Sequence, residues 1–135
     1  MALNPHIRTS ARNTALDAVT TTLGTSAIFV LYAGVQPADA SAAATAANTV
    51  VASLAFPATN AYGAAAAGVL TANTITQDAT AAGGTATWFS QQKATGQRVV
   101  DGSVGTSGAD LNLNAVAITT GAAVAITAFT ITFAA

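Results

Sequence analysis

The chain has 135 residues, enough for one domain around one core. Charged side chains make up 7% of it, four Lys or Arg against five Asp and no Glu, where an ordinary soluble domain carries about a quarter. Four scattered cations form no basic stripe for nucleic acid, the absence of Cys excludes disulfides and thiolate chemistry, and no run reaches the about 18 strongly apolar residues of a membrane span.

In chain order, Ile7, Ala11, Ala15, Val19 and Leu23 recur every four residues beside Leu16, the stripe of an amphipathic helix. Thr9 or Ser10 is the expected N-cap and Gly24 the expected stop. Arg8 and Arg12, four apart, project from one side of this helix. Beyond Gly24 the pattern turns to short runs rich in Val, Ile, Phe and Thr between Gly, Asn, Pro and Asp, which is strand-and-turn language. Ala27–Tyr32 is apolar on both faces and predicts a central or helix-covered strand. In Thr49–Phe56 the residues Val50, Ala52, Leu54 and Phe56 share one face, and Pro57 closes the strand. An apolar run at 27–33 followed by Ala38-Asp39-Ala40 imitates a signal-peptide core but starts too late, so assembly in the cytoplasm is expected.

Leu70–Thr76 and Thr85–Gln92 read as further strands, the second turning at Lys93-Ala94-Thr95-Gly96 into a return over Gln97–Asp101. Gly102–Gly108 reads as a flexible connection to a strand bearing Leu111 and Leu113. After a turn at Thr119–Ala122, Val124 and Ile126 alternate on one parity and Phe129, Ile131 and Phe133 on the other. Such a change needs a bulge or a strand that bends between sheets. The expected fold is all-β with one N-terminal helix: an arm and helix over 1–24, and over 25–135 a two-layer antiparallel β-sandwich, jelly-roll-like, within one globular unit. The Ala-rich tracts 38–48 and 58–68 read as surface loops.

No constellation carries chemistry. The single His6 has no positioned partner, no nucleophile-elbow motif is present, and Asp101 and Asp110 around the glycine loop read as turn-bonding residues ahead of Ca²⁺ ligands. No enzyme activity, metal or cofactor is expected. So few charges also leave little self-repulsion between copies, which predicts a homo-oligomer. Trp88 and Phe89 are adjacent on a strand and face opposite ways. Interface candidates are therefore Trp88, together with Tyr62 from the Ala-rich tract and Ile7, Arg8 and Arg12 at the N-terminus, with Tyr32 expected in the core.

The segments Gly68-Val69-Leu70-Thr71-Ala72-Asn73, Gly84-Thr85-Ala86-Thr87-Trp88-Phe89, Val99 to Asn114 (VVDGSVGTSGADLNLN) and Phe129-Thr130-Ile131-Thr132-Phe133 together resemble small virion proteins encoded among the head and tail structural genes of tailed bacteriophages. The resemblance implies a structural role, that of a capsid decoration or cement protein on the head surface. Its partners would be the major capsid protein and itself, with no nucleic acid or membrane, and Arg8 and Arg12 would dock on an acidic capsid surface. Alternatives are a tail-tube, head–tail-joining or fibre component, or a carbohydrate-binding module stacking sugars on Trp88 or Tyr62. The Ala-rich tracts 38–48 and 61–67 depart from the group's pattern.

Overall fold

The computed structural model of the chain describes residues 6–134. Helix α1 (Thr9–Leu23) precedes β1 (Ile28–Ala33), β2 (Thr49–Ala55), β3 (Val69–Thr71), β4 (Gly84–Thr85), β5 (Trp88–Gln92), β6 (Arg98–Gly105), β7 (Leu111–Asn112), β8 (Ala117–Ile118) and β9 (Thr130–Thr132). Five strands form one sheet in the order β2-β1-β5-β6-β7, while β3 pairs with β9 and β4 with β8. The fold is thus mostly β with one helix and a curled mixed sheet. The expected all-antiparallel pairing fails at β6–β7, which is parallel. A parallel pair normally needs a crossover of about a dozen residues; here residues 106–110 alone make the connection, and the ladder stops after two residue pairs.

Helix α1 starts at Arg8, with no side-chain cap, and Thr9 already lies inside it, so neither expected cap residue serves. Gly24 does end it, at φ 71° with its N–H on the Thr20 carbonyl. The inward face also differs from the expected stripe. Leu16 and Leu23 are buried, whereas Ala11 and Ala15 face out. Alanine gains little from burial, and three polar residues orient the helix instead: Arg12 Nη1 donates to the Phe133 carbonyl, Asn13 Oδ1 accepts from Gly68 N–H, and Asp17 Oδ1 accepts from Ala65 N–H. With two leucines in the common core, α1 packs as part of the globule, and residues 1–5 of the expected arm lie outside the described residues.

One sheet face makes that core. Phe29 lies 4.9 Å from Phe89 in a stacked pair, and Phe129 meets both rings edge-on at 5.3 Å. Phe56 and Tyr62 extend the cluster. Strand β1 is central, as its apolar run predicts, and β5 is buried along its whole length. In β2 a bulge leaves Val51 without a partner, since Leu31 pairs with Ala52 and Tyr32 with Val50. The extra residue shifts the parity: Val51 is buried and Val50 is 45% exposed, against the expected face.

The predicted strand 85–92 is broken into β4 and β5, and 70–76 is ordered as strand only at Val69–Thr71. Conversely β6 runs through Gly102 instead of ending before it. A Cβ at Gly102 would lie 2.5 Å from Phe89 Cε1, so this glycine lets the Phe89 ring lie flat on the neighbouring strand. The expected parity change near Thr127 occurs in the irregular stretch between the Asp78–Val124 bridge and β9.

Candidate functional site

The second face of the large sheet is polar and aromatic. Tyr32 and Trp88 sit directly opposite on β1 and β5, their rings stacked at 4.4 Å and 13°. The Arg98 guanidinium lies 5.3 Å from the centre of the Trp88 ring, so the indole is enclosed between a phenol and a cation. Residues three apart on a regular strand face opposite ways. A bulge at Val99 cancels this: Gln91 pairs with Val100 and Gln92 with Arg98, which brings Arg98 and Asp101 to the same face. Their side chains are 7% and 4% exposed and approach to 3.2 Å. The approach is not aligned as a hydrogen bond, and both Asp101 oxygens and the Ser90 hydroxyl are buried without one.

Residues 38–48 cross this face as a strap. Arg98 Nη2 donates to the Asp39 and Ala42 carbonyls, and Trp88 Nε1 donates to Asn48 Oδ1 at 3.1 Å. At the near end Thr87 Oγ1 donates to the Gly34 carbonyl. Asp39 folds the strap on itself by accepting from the Ser41 hydroxyl and N–H and the Ala42 N–H, which holds its carboxyl below the usual carboxylate range. Small side chains suit this role, because Ala and Ser let backbone carbonyls approach the guanidinium. The tract expected to be a plain surface loop is therefore a cover, anchored by polar bonds.

Between the strap and the β5–β6 hairpin a cleft of about 580 Å³ is lined by Tyr32, Ala40–Ala44, Gln92, Gln97, Arg98 and Thr22. The lining offers amides, hydroxyls and an engaged guanidinium. No Asp, Glu or His is among these lining residues. No group of three or more metal-ligating side chains occurs among the described residues, and no helix there is long and apolar enough to cross a membrane.

The interface candidates fall into two sets. Trp88 is fully buried, and Tyr62 is 2% exposed with its hydroxyl donating to Gln91 Oε1 at 2.7 Å, burial holding the phenol above its usual range. Both rings belong to the subunit's own packing and offer no face to a partner. Ile7 is 59% exposed and Arg8 is exposed beside it, at the start of α1. Arg12 is half-buried, bonded to the Phe133 carbonyl and to Thr9 Oγ1, and does not share Arg8's free position. Asp101 and Asp110 do not converge: Asp110 Oδ2 accepts from Ser103 N–H and Oγ, which lowers its pKa and closes the glycine loop, while Asp101 stays with Arg98.

The sequence gives no hint of what happens to the charges. Arg12, Asp17, Asp39, Asp78, Arg98, Asp101 and Asp110 each have a partner inside the subunit, Asp78 accepting from Ser53 and Thr80 N–H. Among the described residues only Arg8 and Lys93 are without such a side-chain partner. Compared with protein families, curated proteins and solved structures, the chain gives no significant match in any of the three.

Proposed function

We propose that the protein is a self-associating structural subunit of a tailed-phage virion, a decoration or cement protein that binds the major capsid protein on the assembled head. The supporting observation is the exterior: of nine charged side chains, only Arg8 and Lys93 are left without an internal partner. Nine charged side chains in 135 residues give a surface with little charge to keep copies apart. The large sheet and the β3–β9 pair, whose Phe129 packs on Phe29 and Phe89, are the two layers of a proposed jelly-roll-like sandwich. Residues Ile7 and Arg8 are the proposed capsid-facing pair.

A protein that binds only the completed shell stabilises it by mass action, and many weak sites add through multivalency. The reading gives a non-enzymatic role with no cofactor, at the capsid surface after assembly in the host cytoplasm. Tail-tube, head–tail-joining and fibre roles differ from it by copy number. The carbohydrate-binding alternative loses its platforms, because Trp88 and Tyr62 are buried. The test is co-sedimentation with expanded heads that lack the protein: saturable binding at hundreds of copies per head is expected, and binding at a dozen or fewer would favour a connector or fibre.

A further inference from the structure

Among the described residues, strand β9 has an open edge. Its pairing with β3 alternates: Ala72 N–H donates to the Phe129 carbonyl and Phe133 N–H to the Gly68 carbonyl, while Leu70 sits opposite Ile131 between them. The backbone groups of Phe129, Ile131 and Phe133 therefore point at β3, and those of Thr130 and Thr132 point away. On the far side of β3 both outward groups of Val69 are satisfied by the exchange with Ala66, and the Thr71 carbonyl accepts from Gly63 N–H. No described residue does the same for Thr130 or Thr132. Both are exposed, Phe133 beside them is 43% exposed, and a cleft of about 260 Å³ separates Thr130 from Asp110–Asn112.

Proteins usually blunt such an edge with Lys, Pro or an inward charge. From Leu111 to Ala135 there is no charged residue, no His and no Pro, and Phe129–Phe133 consists wholly of β-branched and aromatic residues. We infer that this edge is a self-association surface, on which β9 of a second copy adds antiparallel about a twofold axis through Ile131. Thr130 of each copy then exchanges N–H···O bonds with Thr132 of the other, in a Thr–Thr cross-strand pair. A twofold contact sets each residue against its own kind or a near neighbour, so an uncharged edge is what this partner requires. The inference locates the self-association in the proposed function and rests on that part of it alone.

The test is sedimentation velocity over a concentration series on the full chain and on Thr132→Lys and Thr130→Pro, neither of which removes a bond to β3. Wild type is expected to associate, and both variants to weaken association by at least about tenfold while keeping the native circular dichroism. Thr132→Lys, which leaves the backbone unconstrained, decides the matter if the proline variant does not fold. Association unchanged in Thr132→Lys would overturn the edge and leave the assembly reading standing. A wild type that stays monomeric throughout would overturn both.

Discussion

Gly102 shows how one position links sequence to packing. Its φ is ordinary, so the requirement is space alone, beneath the Phe89 ring. Gly102→Ala should cost about 1–3 kcal/mol by overpacking, read as a lower urea midpoint at unchanged m. Ala67 is the converse case. It sits at φ 53° before Gly68 at φ 79°, the positive-φ pair of a tight hairpin turn, and only Ala67 carries a Cβ there. Ala67→Gly should be neutral to stabilising by up to about 1 kcal/mol in thermal unfolding, since strain relief opposes the added chain entropy. The carboxylates set the acid response. Asp110, held by Ser103, and Asp78, held by Ser53 and Thr80, have lowered pKa values, so their contribution is present above about pH 4 and is lost as the pH falls through the lowered values. Asp110→Asn should flatten the fall of the melting temperature below about pH 4. Tyr62 acts at the other end: its raised pKa means stability present below about pH 10 and lost above it, a loss that Tyr62→Phe removes.

At the scale of elements, the strap and the helix each depend on a few bonds. Trp88 is the one tryptophan, so its emission reports on the strap directly. Asn48→Ala leaves the indole N–H without its acceptor and should cost about 1–3 kcal/mol, with a red-shifted emission and faster amide exchange over 38–48. Unchanged emission and exchange would mean that the strap is held by something else. Removing Leu16, fully buried on α1, should cost about 2–5 kcal/mol, which makes the helix a part of the fold. Much of this level was legible: the helix, the central β1, the hairpin at Lys93–Gly96 and the turn at Thr119–Ala122 all follow from periodicity and turn chemistry. The misses have physical causes. Bulges at Val51 and Val99 shift parity with no local mark in the sequence, and Gly102 reads as a strand breaker because its partner ring lies on another strand. The hairpin at Ala67-Gly68 lacks the Asn or Asp that usually announces one. Nothing in the Ala-rich strap identifies Arg98, about 60 residues away, as its anchor.

Across the whole molecule, a charge-poor chain places most of its few charges on itself. The strap is anchored by Arg98, the helix by Arg12 and Asp17, and the loops by Asp78 and Asp110. The exposed residues are mostly Ala, Thr, Ser and Asn with a few charges such as Arg8, Asp39 and Asp110, and among the described residues Ile7, Val35, Val50 and Phe133 are the exposed large apolar ones. Neither Trp88 nor Tyr62 could be assigned from sequence, since an aromatic residue on a strand has the same pattern whether its outer face meets a partner or the subunit's own strap. On the proposed function, this exterior is covered by other protein. The most direct measurement is a cryo-electron-microscopy map of the intact particle in which this fold is located. The account predicts copies tiled over the head, with Ile7 and Arg8 against the capsid. A map in which the head surface is bare of this fold would contradict it.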